Sequence, residues 1–210
     1  MASTAQRKDS GIASADALLN ATSALMTERN SVDVTFVDIA QRSGLNSALI
    51  RYHFGNKAGL FMALLERDAG GTFGNLDALV EADMPAPQKM RHHISGVIKT
   101  YYRYPYMNRL VGALSIDTDS ETARFIAERF TKPLAAAQKA ILEQGVREGV
   151  FRDVDPMLFY FSLIGACDHL FHARHSLKYA FGIDEITDEM RRGYADHITE
   201  LLMESILLHR

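Results

Sequence analysis

The chain has 210 residues, a formal charge of -3 at pH 7 and a pI near 6.2, so its overall charge does not point to a nucleic-acid or anionic-membrane partner. With 47% apolar residues it can bury a substantial core, as one large domain or as a small one plus a larger one. The single cysteine, Cys167, excludes an internal disulfide; no apolar run is long and charge-free enough to cross a bilayer, and MASTAQRKDSG lacks the apolar centre of a secretory signal, so the expected location is cytoplasmic.

In chain order the pattern is helical throughout, with no alternating strand signal and no internal repeat. Residues 1–9 are polar and expected to form a disordered tail. A first helix is predicted from Ser10 to Arg29, with Leu18, Leu19, Ala21, Thr22, Leu25 and Met26 facing inward. The stretch TFVDIAQRSGLNSALIRYHFGNK, Thr35 to Lys57, then reads as two short helices around a tight turn. Val37, Ile39 and Ala40 supply apolar groups to the first, Ser43-Gly44-Leu45 makes the turn, and Asn46 or Ser47 caps a second helix ending near Phe54. Leu45, Leu49, Ile50 and Phe54 fall at helical spacing for docking, which leaves Ser47, Ala48, Arg51, Tyr52 and His53 on the other face. The domain boundaries expected are 10–56 for this unit and 57–210 for the remainder.

After Lys57 a further helix, AGLFMALLERDA, is predicted to end or kink at Gly70-Gly71. Met84 to Pro87 is the clearest break, followed by a helix from Ala86 to about Tyr104. Asp117-Thr118-Asp119-Ser120 starts a long helix to Arg147, kinked at Pro133 and stopped by Gly149. Asp155-Pro156 opens the next helix, through MLFYFSLIGACDHLFHARH, and a last one runs from about Asp188 to Leu208. Met157 to Cys167 is apolar nearly all round and has to be covered on more than one side. The last helix has one stripe, Met190, Tyr194, Ile198, Leu201, Leu202 and Ile206. Two-fold pairing of these two helices as a four-helix bundle would cover both, with Gly165, Ala166 and Gly193 permitting close approach.

Between Asp38 and Glu66 there is no acidic residue, while Arg42, Arg51, His53 and Lys57 fall inside, a local imbalance that suits a phosphate backbone. Thr35 is placed to give a hydroxyl or backbone N–H to phosphate, and Asn46 and Ser47 to reach a base edge or phosphate. Ala48 offers close approach or contact with a thymine methyl. Arg51 has the fork to donate two bonds to a guanine, or else touches phosphate alone. Tyr52, His53 and Lys57 are expected to clamp the backbone, with Tyr52 alternatively packing.

In order and spacing, Glu28-Arg29-Asn30, Thr35, Ile39-Ala40, Ser43-Gly44, Tyr52-His53-Phe54-Gly55-Asn56-Lys57 and Leu60 resemble the TetR family of bacterial ligand-controlled repressors. The resemblance covers about the first 65 residues. It implies a three-helix DNA-binding domain, a larger C-terminal helical domain for ligand binding and dimerisation through the last two helices, and a homodimer on a palindromic operator released by a small effector. Asn30 stands where the family usually has Gly, and Arg51 where many members have Tyr, so operator preference departs from that of the better-known members. The downstream half is faintly similar to the pyrimidine-utilisation regulators through YPYMNRLVGALS and RDVDPMLFYFSLIGACDHL, too loosely to imply a pyrimidine.

For the effector, Tyr101, Met107, Phe125, Phe159, Cys167 and His169, with Met90, Tyr102, Phe130, Phe161 and Phe171, supply adaptable apolar walls and a few polar tips. Cys167 otherwise reads as an ordinary buried thiol. Asp168, His169, His172 and His175 cluster in sequence, but at about 100° per residue His175 is rotated by roughly 240° from His169, so one ion does not hold all three histidines and no metal or cofactor is expected. No nucleophile, acid/base pair or phosphate loop stands out, and no enzymatic activity is expected. A helical ligand-binding protein without DNA would leave the acid-free stretch unexplained.

Overall fold

A computed structural model describes residues 4–73, 75–116 and 120–208; side chains are described from Gly11 onward and not at 71–73. The order of helices is α1 (Thr4–Arg29), α2 (Phe36–Ser43), α3 (Ala48–Phe54), α4 (Lys57–Phe73), α5 (Leu76–Glu81), α6 (Ala86–Arg103), α7 (Met107–Leu114), α8 (Glu121–Ile126), α9 (Lys132–Arg147), α10 (Pro156–His172), α11 (Arg174–Phe181) and α12 (Asp188–Ile206). A small head, α1 to α3, sits on a larger body, with α4 leading from one to the other. Helix α1 takes in residues 4–9 of the expected tail, where Ala5, Gln6, Arg7 and Lys8 are good helix formers extending a helix already nucleated. Residues 1–3 lie outside the described residues.

Local chemistry explains most boundaries. Gly44 ends α2 at φ 70 and Gly149 follows α9 at φ 68, both in the left-handed region that glycine enters freely. Asp155 caps α10 by accepting from the N–H groups of Met157 (2.8 Å) and Leu158 (3.1 Å), with Pro156 at the first helical position. Ser120 caps α8 through the Ala123 N–H, while 117–119, expected to open this helix, lie outside the described residues. The long helix expected from Ser120 to Arg147 is interrupted by a π-helical turn, Ala127–Thr131, between α8 and α9. Pro133 lies just beyond it and has no N–H to give the preceding turn, so the ladder widens there.

Three other expectations are corrected. Gly70-Gly71 does not end α4, which continues to Phe73; a Cβ at Gly70 would meet open space, and nothing there forces a break. The helix opened by Pro156 stops at His172, and Ala173 turns the chain into α11, so His175 belongs to a different helix from His169. Val37 does not pack inward: it is 74% exposed, and Phe36 and Ile39 take the inner face of α2.

One apolar core runs through head and body, from Leu18, Leu25, Ile39 and Ile50 through Leu60 and Leu64 to Ile94, Leu163 and Ile206. The six inward positions expected of α1 are all buried. The end of the chain is pinned beside the body by an antiparallel bridge, Phe151 to Leu207, with Arg152 N–H on the Ile206 carbonyl (2.7 Å) and Leu208 N–H on that of Val150 (3.0 Å). Phe151 fills the space over Gly145, where a Cβ would run into its ring.

His93 of α6 is 3% exposed beside the equally buried Gln138 of α9, and burial pushes its imidazole down to about 4. The unfolded chain takes up that proton near 6.5, whereas the folded chain resists until about 4, so this residue's contribution falls as pH drops between those values. His93→Gln is expected to remove roughly 2–3 kcal/mol of the acid-dependent loss between pH 7.5 and 4.5. Urea denaturation at the two pH values checks it, and equal losses in both proteins would refute it.

Candidate nucleic-acid interface and effector cavity

Helix α3 is held by the groups around it. Its inner face, Leu49, Ile50 and Phe54, packs into the core. Asn46, rather than Ser47, makes the cap: its side-chain oxygen accepts from the Ala48 N–H at 2.8 Å, and the Ser47 hydroxyl makes no capping bond. At the far end Gly55 turns at φ 75, and Asn56 caps α4 by accepting from the Gly59 N–H at 2.8 Å. Gly59 is required there because a Cβ would run into the Phe54 carbonyl oxygen. The angle between α3 and α4 is therefore set by backbone against backbone.

The outward face of α3 carries Ser47, Ala48, Arg51 and Tyr52, all exposed, with Tyr52 at 80%. These are positions i, i+1, i+4 and i+5, one face of the helix. His53 is different: its Nε2 lies 2.8 Å from the Ser14 hydroxyl of α1, so the ring braces α3 against α1, with Tyr52 edge-on at 4.9 Å. Thr35 is also occupied. Its hydroxyl donates to Asp38 (2.6 Å) and accepts from the Asp38 N–H (3.1 Å), while its own N–H donates to Asp38 (2.8 Å), a closed capping box. Asp38 is held well below the usual carboxylate range by Arg29 first and Thr35 second.

The stretch without acids in sequence is bordered by acids in space. Arg42 pairs with Glu28 of α1, Arg29 with Asp38 (2.8 Å), and Lys57 lies 3.9 Å from Asp33 while covering the Phe61 ring. Among the described residues Arg51 has no carboxylate partner, so it is the uncompensated cation of the exposed face. Ser14, Asn56 and Gly59 are positioning residues that sequence reading did not single out. Only the Gly-Asn-Lys turn carried a local signal for any of them.

In the body, a cavity of about 80 Å³ lies among α4, α6, α7, the π-helical turn, α9 and α10. Tyr101, Met107 and Phe130, all named for the effector, line it, with Val97, Val111 and Ile164 as further apolar wall and Thr100, Asn108, Thr131 and Tyr160 as polar tips. Phe125, Phe159, Cys167 and His169 lie elsewhere. Phe125 is 40% exposed beside a groove bordered by His53 and Met62, Phe159 and Cys167 are buried in the core, and His169 is exposed on α10. Burial, reinforced by the neighbouring Asp168, pushes the Cys167 thiol up to about 12, which makes it inert. His169 and His172 meet edge-on at 5.1 Å, and His172 Nδ1 lies 3.1 Å from Asp168, while His175 stands against Tyr179 on α11.

On α10, Met157, Leu158 and Phe161 face outward, Phe161 with 66% exposure, and Leu201 does so on α12. A Cβ at Gly165 or Gly193 would meet open space, leaving room for close helix approach. Of the rest of the expected stripe of α12, Ile198, Leu202 and Ile206 are buried and Met190 and Tyr194 partly so, and Met203, not named in it, is buried beside them.

A helix-turn-helix head with a projecting exposed face, on a helical body with a partly open cavity and an uncovered apolar face, is the architecture of a DNA-binding regulator that responds to a ligand. Residues 18–64 match the domain described as bacterial regulatory proteins, tetR family, and residues 83–210 the tetracyclin repressor-like C-terminal domain. The chain belongs to the TetR family and is a ligand-responsive DNA-binding repressor that acts as a dimer. It is 21% identical over 164 residues to the HTH-type transcriptional repressor NicS of Pseudomonas putida, covering 77% of each chain. Its fold is similar to KstR2, the ketosteroid transcriptional regulator of Mycobacterium tuberculosis (TM-score 0.69, 18% identity, 93% of this chain and 95% of that one). It is also similar to AibR in complex with isovaleryl coenzyme A and operator DNA (0.69, 18%, 90% and 97%) and to Bacillus subtilis FadR in complex with stearoyl-CoA (0.66, 16%, 92% and 98%). No helix among the described residues is long and apolar enough to cross a membrane.

Phe161→Asp places a charge on the uncovered face of α10 without touching the monomer core. It is expected to shift the protein from dimer to monomer in sedimentation velocity while leaving its helix content unchanged. A dimer of unaltered strength would place the interface elsewhere.

Proposed function

We propose that Ser47, Ala48, Arg51 and Tyr52 form the reading face, with Arg51 making the principal base contact and Tyr52 a contact to the DNA backbone. The observation that carries this is the uncompensated charge of Arg51 on an exposed face whose helix is clamped at both ends. Asn46, Thr35 and His53 act mainly by holding that helix and α2 in place, since their cap or bridging bonds are already made. Lys57, loosely paired at the start of α4, adds a backbone contact. Two such heads, about 34–36 Å apart or a small multiple of that, engage successive major grooves of a palindromic operator. The protein works in the cytoplasm through binding equilibria and catalyses no reaction.

The effector binds in the cavity lined by Tyr101 and Met107. At about 80 Å³ it is well below the roughly 300–1,000 Å³ of a typical ligand site, so a ligand of that size has to part the surrounding helices. Helix α7 is the wall best placed to respond: Met107, Asn108 and Val111 line the cavity, while Tyr106, just before it, donates to Asp68 of α4 and lies 2.8 Å from Ser23 of α1. Displacement of α7 thereby tilts α1 and α4 and alters the separation of the two heads, and an effector that favours the displaced form releases DNA. The lining suits a ligand with an apolar portion and one or two hydrogen-bonding groups. The coenzyme A thioesters held by two of the fold neighbours are consistent with a ligand having an apolar acyl portion.

Selection from a random duplex library is expected to return a two-fold symmetric site. Arg51→Ala should relax preference at one base pair per half-site, at a cost of about 1–3 kcal/mol on the preferred sequence. Equal weakening on all sequences would reduce Arg51 to a phosphate contact, and an unselective wild type would refute the operator. For the cavity, Val111→Phe should abolish the melting-temperature shift produced by whichever member of a coenzyme A thioester panel stabilises the wild type. An undiminished shift would place the ligand elsewhere.

A further inference from the structure

Head and body are joined by a polar latch centred on Asn30, the residue that closes α1. Asn30 is the one described non-glycine residue with positive φ (49°), a backbone that glycine adopts at lower cost. What asparagine adds is its amide. The side-chain nitrogen donates to the His172 carbonyl at the end of α10 (2.8 Å), and the side-chain oxygen accepts from Arg109 Nη2 of α7 (2.7 Å). Arg109 Nη1 donates to the Asn30 main-chain carbonyl, and Nη2 also reaches the Pro105 carbonyl at 3.2 Å. One asparagine thus ties the C-terminal end of the first head helix to two separate helices of the body.

Both anchors lead to the cavity. Asn108, beside Arg109, lines it and donates to the buried carboxylate of Asp168 at 3.0 Å; Asp168 in turn lies 3.1 Å from the ring of His172, whose carbonyl holds Asn30. Arg109 and Asn108 of α7, Asp168 and His172 of α10, and Asn30 next to α1 therefore lie together as one polar cluster, which reaches the cavity at Asn108. Arg109 is partly withdrawn from water with its Nε unpartnered, so it cannot leave Asn30 without forfeiting its bonds in a poorly solvated place.

We propose that Asn30, acting with Arg109, is the positioning residue that fixes the angle between the DNA-reading head and the body and passes movement of α7 to α1. The latch narrows the range of head separations in the free dimer, which keeps a larger fraction of molecules at operator spacing. The assignment rests on dimeric DNA binding and is independent of which ligand fills the cavity.

The test uses the full-length dimer with a spin label on Gln41→Cys, an exposed site of α2, while Cys167 stays buried and unlabelled. Unlabelled protein serves for operator binding. Asn30→Gly keeps the left-handed backbone and removes the amide. It should leave the melting temperature within a few degrees, broaden the label-to-label distance distribution, and lower operator affinity about fivefold or more. Arg109→Gln should do the same, the double variant should do no more than either alone, and Asn30→Asp, which keeps the Arg109 arm, should recover part of the loss. An unchanged distance distribution, an unchanged operator affinity, or additive losses in the double variant would each overturn the latch. Because wild-type operator binding is measured alongside, failure of the latch is distinct from failure of the operator or of the cavity assignment.

Discussion

Continuity of the apolar core between head and body is the constraint on which everything else in this molecule depends. Leu18, Leu25 and Met26 of α1 and Leu60, Leu64 and Leu65 of α4 are buried in one cluster with Ile39 and Ile50 on one side and Ile94, Leu163 and Ile206 on the other. Close-packed interiors transmit displacement instead of absorbing it. A head built on its own core and hung from a flexible linker would find DNA equally well but could not report on a cavity elsewhere. Here the helix that supports the recognition helix is also a wall of the body and of the cavity, so head and body share one packed element.

Polar contacts give that continuity a preferred geometry. The apolar seam between α1 and the body permits small rotations at little cost, because dispersion is weakly directional. The hydrogen bonds of Asn30 with Arg109 and His172, and the buried Tyr106–Asp68 bond with Ser23 beside it, are directional and sit in poorly solvated surroundings where an unmade bond is costly. Both sets meet on the first turn of α7, the helix whose other face borders the cavity. A short helix carrying cavity wall on one side and polar anchors on the other suits a part that has two arrangements.

Charge is distributed by the same logic. Several cations of the head and body are held in pairs: Arg42 with Glu28, Arg29 with Asp38, Arg91 with Glu200. Exposed pairs of this kind add little stability, but they quiet the surface against non-specific DNA. Arg51 is left open where a base edge would be read. In a chain of net charge -3, overall electrostatic attraction to DNA is weak, which is why the proposed reading gives specificity to the Arg51 fork and its two-fold duplication.

Much of this was legible in the sequence because it depends on neighbours a few residues away. The turn at Gly44, the cap at Asn46, the outward set Ser47, Ala48, Arg51 and Tyr52, the inward set of α1 and the disturbance before Pro133 all follow from helical period, capping chemistry and backbone restriction. Resemblance to the TetR family added the dimer and the ligand. What the linear pattern could not show was which distant groups meet. The hydroxyl of Ser14 takes up His53, Glu28 neutralises Arg42, the cavity is walled by Tyr101 and Met107 but not by Phe159 or His169, and Asn30 joins Arg109 and His172. Those pairings are separated by up to 142 positions in the chain and exist only because burying one continuous apolar core fixes where each helix lies. Sequence by itself determined the helices and which side chains the recognition helix turns outward; packing decided which of its charges remain free and which groups of the body meet the head.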